Sequence, residues 1–225
     1  MIRINKGNEP QSWIEYKNTP GTTYTSHPEL KEALLSEQGY ICAYCMRRIP
    51  LKKCDPGESV TCKIEHIKSR SANREYEKDY KNMIMCCPGS IDGNAHCDKS
   101  KGQREITLSP FSDDLEKTIS YRSKDGEIRS SNMIWNEEIN NILCLNNPLL
   151  KRNRKDTLAG IQKVLGQKTW NTTDIRRKLQ DWKSLDDDGK FYPYCGIVIW
   201  FLERRLRQTN KRMISNKINL RDSNL

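Results

Sequence analysis

Apolar positions along this chain change their spacing as it proceeds. An opening stretch to residue 25, broken by Pro10, Pro20 and Gly21, reads as an irregular or extended arm. Ser26-His27-Pro28-Glu29 then has the form of a capping box. Leu30, Ala33 and Leu34 follow at helical spacing until Gly39. Residues 40–49 and 60–67 read as two strands joined by a loop carrying Asp55-Pro56-Gly57. Asp79 to Met85 reads as a short helix or turn, and a second helix begins at Asp98. Two strands followed by a helix is thus the predicted skeleton of this part. Beyond Gly102, Ile119 to Arg129 reads as a hairpin turning at Asp125-Gly126. From about Asn132 the pattern is helical: Leu158, Ile161 and Leu165 form one stripe. Ile175, Leu179 and Trp182 form another, after caps at Thr172 or Thr173. Stripes at this spacing are core faces. The fold class is α+β, with an arm and helix over residues 1–39, a compact module over 40–110 and a hairpin plus mainly helical region over 111–225.

At 225 residues the chain has room for one good core or for a small module with a helical companion. The opening Met1-Ile2-Arg3-Ile4-Asn5-Lys6 has no signal-peptide character, and the apolar run from Cys195 to Leu202 is too short to span a bilayer. A cytoplasmic protein is expected, with no membrane attachment. With 39 Lys and Arg against 29 Asp and Glu, the net charge of +10 points to a polyanionic partner, without separating nucleic acid from an acidic protein.

Cysteine placement narrows the chemistry. Seven of the nine cysteines lie between positions 42 and 97, and in a reducing compartment such clustering favours metal ligation over disulfides. Cys42-Ala-Tyr-Cys45 is a knuckle that turns two thiolates onto one ion, and Zn²⁺ takes four such ligands in a tetrahedron. The second pair is drawn from Cys86, Cys87 and Cys97. Cys87 with Cys97 is favoured because the two flank the segment that must be pinned; His96 in place of a sulfur, or Cys54 or Cys62, stays open. Cys144 and Cys195, isolated, read as small buried hydrophobes.

Between the cysteines stand Glu65-His66, Asn82 and Asp98-Lys-Ser-Lys101. On a strand, adjacent Glu65 and His66 point to opposite faces, but at a strand end they can converge. Glu65 and Asp98 offer the hard oxygens that Mg²⁺ or Mn²⁺ prefers, and His66 suits a general base near neutral pH. Lys101, one turn beyond Asp98, is expected to neutralise a neighbouring phosphate, and Asn82 to tie the His66 loop to the module. A Glu-His step by itself carries little; the ordered set carries the reading.

These residues resemble the HNH endonuclease family, whose ββα-metal motif runs as an acidic-His pair, a central Asn, and a terminal His or Asn followed three residues later by Lys. The resemblance implies Glu65 as acidic metal ligand, His66 as general base, Asn82 as the central Asn, and Asp98 in the last position ahead of Lys101. It matches Cys42, Cys45, Cys87 and Cys97 to the zinc knuckles of many members. Glu65 replaces the usual Asp, Asp98 replaces His or Asn, and the loop from Pro88 to His96 is an insertion, so His96 stands as the alternative metal ligand. More narrowly, the start Ile2-Arg-Ile-Asn-Lys-Gly-Asn-Glu-Pro10, Ile41-Cys-Ala-Tyr-Cys-Met46 and His96-Cys-Asp-Lys-Ser-Lys-Gly102 are similar to the PtuB nucleases of Septu anti-phage systems and to retron-associated HNH proteins. That resemblance implies a nuclease effector held in check by an ATPase partner like PtuA, docked through the helices after residue 130. The substrate is DNA in some members and transfer RNA in others, with DNA favoured.

Two basic clusters lie outside the motif: Lys151, Arg152, Arg154 and Lys155, and a run from Arg204 through Arg205, Arg207, Lys211, Arg212 and Lys217 to Arg221. Either can track phosphates, and each is equally well read as a solvated face or a partner contact. A different class of protein, a zinc-stabilised adaptor without catalysis, accounts for the cysteines and the charge but leaves Glu65, His66 and Asp98 without a task.

Overall fold

The computed structural model describes residues 1–49, 62–91, 93–167 and 169–222, the last helix with side chains as far as Thr209. The expected Asp55-Pro56-Gly57 loop, Cys54 and the side chains of Lys211, Arg212, Lys217 and Arg221 lie outside these residues. Two helices open the chain, α1 (Gln11–Asn18) and α2 (Pro28–Glu37). The first falls inside the stretch read as an arm. Its one fully buried residue, Trp13, gives too sparse an apolar pattern to register as a helical face. His27, not Ser26, is the N-cap of α2, and no side chain caps the helix; Pro28 at the first position starts it instead.

The strands β1 (Lys63–His66) and β2 (Met83–Cys86) pair antiparallel, Glu65 opposite Ile84 and His66 opposite Met83. The expected partner of β1 was the 40–49 segment. That segment is instead a knuckle closed by an isolated antiparallel bridge between Ile41 and Arg48. The turn enforced by Cys42 and Cys45 leaves too little extended chain to pair. Residues 79–85 split: a single 3₁₀ turn (Tyr80–Asn82) delivers the chain into β2, whose four side chains are all buried. An apolar run without alternation suits a strand covered on both faces, and its period cannot distinguish it from a buried helix.

The far edge of β2 is closed by a side chain. Met85 donates its N–H to Gln38 Oε1 at 2.7 Å and accepts from Gln38 Nε2 at 2.9 Å, so a glutamine amide substitutes for a strand. The opening segment also latches there. Lys6 Nζ reaches Glu37 Oε2 at 2.8 Å and the Met83 carbonyl at 3.3 Å, over the Tyr80 ring.

A two-residue-by-two-residue hairpin, β3 (Ser90–Ile91) with β4 (Asn94–Ala95), leads into α3 (Cys97–Lys101). Past the short α4 (Leu115–Thr118), β5 (Ile119–Arg122) and β6 (Glu127–Ser130) form the expected hairpin. The remainder is helical: α5 (Met133–Glu137) running into a π turn (Glu138–Ile142), then α6 (Pro148–Gly166), α7 (Thr172–Lys183) and α8 (Cys195–Asp222). Asn171 caps α7 in a reciprocal box with Asp174, one residue ahead of the expected threonines. One apolar core runs from Met1 and Ile4 through the knuckle and β2 to Leu202 of α8. Among the described residues no helix is long and apolar enough to cross a membrane.

Candidate metal centre and cleft

The knuckle forms because Cys42 and Met46 are bonded across a tight turn: Met46 donates to the Cys42 carbonyl, and Cys42 donates to that of Arg47, each at 2.9 Å. Met46 and Cys97 take left-handed φ values, +61° and +53°. Nine residues separate Cys87 from Cys97, and the β3–β4 hairpin folds that separation back on itself. His96 donates its N–H to the Gly89 carbonyl at 2.8 Å. Gly89 (φ +72°) is required there, since a Cβ would stand 2.6 Å from the His96 carbonyl oxygen and 2.6 Å from Lys99 Cβ.

Cys42, Cys45, Cys87 and Cys97 consequently meet, all buried, with their sulfurs within 4.8 Å of one another. Cys42 lies 3.8 Å from Cys97 and Cys45 lies 3.7 Å from Cys87, sulfur to sulfur. A tetrahedron with Zn–S arms of about 2.3 Å has edges of about 3.8 Å, so the thiols are spaced for such an ion and far beyond disulfide bonding. Burial pushes the Cys42 thiol up. Hydrogen bonds with Cys45, Cys86, Cys87 and Cys97 outweigh it and hold Cys42 well below the ordinary thiol range. The donor set therefore fits a structural zinc. His96 sits against this centre, Nδ1 3.2 Å from Cys97 Sγ, as the N-cap residue of α3. Cys86 is buried beside it, Cys195 is buried within the apolar core, and Cys144 is partly buried, accepting from the Ser100 hydroxyl at 3.1 Å.

On the other side of β1 an open cleft of about 540 Å³ is lined by Glu65, His66 and Asp98 together with Lys63, Ser69, Arg70, Arg74, Glu77 and Gln103. His96 does not line it. Glu65 and His66 both reach the cleft because β1 ends at His66, which frees the backbone from strict alternation. Burial pushes the Glu65 carboxyl up, a hydrogen bond with Asp98 adds to this, and Lys101 opposes it; the balance stands at about 8. Two carboxyls crowded at a cleft wall are what a hard cation relieves, and Mg²⁺ is typically held by one or two such groups plus phosphate oxygens and water. Glu65 and Asp98 fit that role.

Lys101 is not where the sequence reading put it. Its side chain is 1% exposed and faces inward, Nζ 2.7 Å from Glu65 Oε1 and 3.2 Å from the His66 carbonyl. It orients β1 from behind and is not among the residues that line the cleft. Asn82 does tie the loop as expected: Oδ1 accepts from Lys68 N at 2.8 Å, while Nδ2 donates to the Lys68 and Tyr76 carbonyls at 3.1 Å.

His66 Nε2 lies 3.0 Å from the Glu77 carbonyl. A carbonyl oxygen only accepts, so the hydrogen sits on Nε2 and Nδ1 keeps its lone pair. Burial lowers the imidazole pKa to about 4, with Arg70 and Lys101 adding to the effect. The ring is therefore neutral across the physiological range. Two neighbours escaped the sequence reading. Tyr24 meets the His66 ring edge-on at 4.7 Å, and Arg70 lies over the Tyr24 ring at 4.7 Å. Neither belongs to a motif, and nothing in the spacing of Tyr24 marks it.

Of the basic clusters, Arg154 is spent internally. It is buried, donating to the Gly126 carbonyl at 2.6 Å and the Leu145 carbonyl at 2.7 Å. It falls on the stripe of Leu150, Leu158, Ile161 and Leu165, which explains its direction. Lys151 pairs with Asp125 at 2.6 Å, and Arg207 lies 3.9 Å from Glu203.

No protein-family model matches the chain. A curated protein of Escherichia coli, named "Retron Ec83 putative HNH endonuclease", is 30% identical over 127 residues. The match takes in 47% of this chain and 47% of that protein, so the chain spans about half the length of the relative. By its motif and by this relative, the chain is similar to the HNH endonucleases, and specifically to a retron-associated one.

Proposed function

We propose that the chain is a metal-dependent HNH nuclease that hydrolyses phosphodiester bonds, built on a zinc-stabilised ββα-metal module. The observation that carries this reading is the meeting of Glu65, His66 and Asp98 on one cleft wall, with Lys101 behind them. His66 Nδ1 takes a proton from a water as its oxygen attacks phosphorus. The bond from phosphorus to the 3′ oxygen breaks, its electron pair leaves with that oxygen, and the oxygen takes a proton from solvent water, giving 5′-phosphate and 3′-hydroxyl ends. The Glu77 carbonyl holds the tautomer that leaves Nδ1 free, and supports the imidazolium as it forms. Glu65 and Asp98 would hold Mg²⁺ or Mn²⁺, which supplies stabilisation of charge on the phosphoryl and leaving oxygens. The cysteine quartet would hold Zn²⁺ and fix the knuckle and α3 against β2.

DNA is the favoured substrate and transfer RNA the other, since the chemistry acts on a phosphate common to both. The role proposed is that of an effector in anti-phage defence, working in a hetero-oligomer with an ATPase subunit. The retron in the relative's name supports the defence role. Purified protein, with and without such a partner, should cut plasmid DNA or transfer RNA in Mg²⁺ or Mn²⁺. His66→Ala should abolish cutting without changing zinc content or fold. Normal cutting by that variant would remove His66 as the base; no cutting and no divalent-metal binding by the wild type would favour the adaptor instead.

A further inference from the structure

Three cations line the cleft, Lys63, Arg70 and Arg74, and they are not equivalent. Lys63 lies 4.0 Å from Asp98 and is partly neutralised by it. Among the described residues Arg70 and Arg74 have no carboxylate partner, although both stand near acidic groups of the cleft. Arg70 differs from Arg74 in being laid over an aromatic face, that of Tyr24, whose ring is also set at 84° to His66. One ring thereby carries a guanidinium over its face and stands nearly at right angles to the imidazole.

The ring is itself anchored to the segment that orients His66. Lys78 Nζ donates to the Thr22 carbonyl at 2.9 Å and the Lys17 carbonyl at 3.3 Å, and the Lys78 carbonyl accepts from Trp13 Nε1 at 3.2 Å. The Tyr16 hydroxyl donates to the Thr23 carbonyl at 2.7 Å. Lys78 adjoins Glu77, whose carbonyl accepts from His66. Tyr24 and His66 are thus located by consecutive residues of one strap.

Resting on the nuclease reading above, we infer that Arg70 is the cation that grips a phosphate of the bound nucleic acid beside His66, and that Tyr24 is the positioning residue that holds it there. An arginine side chain left free in solvent loses considerable rotamer freedom on gripping a phosphate; one already laid on a ring loses less. A guanidinium held over one ring face does not spend all its N–H groups on that ring, so N–H donors remain to fork onto phosphate oxygens.

The test measures binding of a fluorescent 16-base-pair DNA duplex and a 16-nucleotide RNA to the zinc-loaded full chain without Mg²⁺ or Mn²⁺, which withholds cleavage and leaves every residue of the cleft in place. Arg70→Ala should weaken binding of one or both about tenfold and lower the slope of log affinity against log salt by about 1. Tyr24→Leu should reproduce much of that loss although Arg70 remains, whereas Tyr24→Phe, which keeps the ring, should bind like the parent. Thermal melting separates a folding defect from these effects; Arg70, being exposed, is expected to melt normally as Ala. Unchanged affinity and salt slope in Arg70→Ala, or parental binding by folded Tyr24→Leu, would overturn the proposal. Cleavage on addition of Mg²⁺ or Mn²⁺ reports separately on the nuclease reading, and its failure would leave the binding comparison standing.

Discussion

Lys101 and Glu65 form a buried ion pair, Nζ to Oε1 2.7 Å, with side chains 1% and 7% exposed. The pair joins α3 to β1 and so couples the helix carrying Asp98 to the strand carrying His66. Burial holds the Glu65 carboxyl up at about 8, so the pair is fully ionic above that pH, and there removing Lys101 leaves a buried charge uncompensated, at about 3–5 kcal/mol. Lys101→Met should therefore destabilise the protein by that order in chemical denaturation at about pH 9, and Lys101→Met with Glu65→Gln should recover part of it. Equal stability of the single variant and the wild type would contradict the pairing.

The cysteine quartet, as the proposed zinc site, predicts a discrimination between adjacent cysteines. Cys87→Ser should lose bound zinc and lower the melting temperature, because binding supplies folding free energy. Cys86→Ala, buried beside the quartet but outside it, should retain a full zinc equivalent by elemental analysis. Zinc loss from both variants alike would refute the assignment of ligands.

Gly89→Ala tests the hairpin that closes this centre. With φ +72° and a Cβ position 2.6 Å from the His96 carbonyl oxygen and from Lys99 Cβ, the substitution must shift the 96–99 segment that carries Cys97. Zinc should dissociate from it measurably faster to a chelating dye than from the wild type, and identical release rates would show the hairpin to be dispensable.

His66 predicts a pH dependence of stability. Its folded pKa, about 4, lies below the unfolded value of about 6.5, so the unfolded chain binds the extra proton between them. The contribution is fully present above about pH 6.5 and is lost as pH falls towards 4, by roughly 3 kcal/mol. Glu65, with its folded pKa raised to about 8, works the other way: its contribution is present at low pH and declines as pH rises from about 4.5 to 8. The two overlap, so the quantity to measure is the stability difference between wild type and His66→Gln. It should shift against the wild type as pH falls from 6.5 to 4, and a flat difference would show the imidazole to be solvated.

Gln38→Leu addresses the edge of β2. It strips the partners from the Met85 N–H and leaves its carbonyl with the Ala43 N–H, 3.1 Å away. An unsatisfied buried donor costs about 1–3 kcal/mol. Native-state hydrogen exchange should show the Met85 amide opening correspondingly faster, and unchanged protection would mean another group replaces the glutamine.

Much of this site could be read from residue types and spacing. Cys42 and Cys45 have two residues between them because a knuckle needs that turn, and Glu65, His66, Asn82 and Asp98 keep their order whatever the chain between them does. The hairpin at Asp125-Gly126 and the stripe of Leu158, Ile161 and Leu165 were equally legible, since turn chemistry and helical period are local. Strand partnership was not. Both 40–49 and 83–86 are apolar and short, and only the burial of β2 on both faces, with Gln38 closing its edge, decides that it pairs with β1.

Side-chain direction likewise belonged to the tertiary structure. Lys101 and Arg154 are indistinguishable in sequence from phosphate-binding cations, yet each turns inward because buried acceptors, Glu65 and the Gly126 and Leu145 carbonyls, await them. Tyr24 lies forty-two residues from His66 in sequence, and nothing local announces their contact. The sequence by itself determined which chemical groups the site has and in what order they come. Only the three-dimensional packing decided which of them meet, because ligand types are written residue by residue whereas contacts are set by which buried groups must be satisfied together.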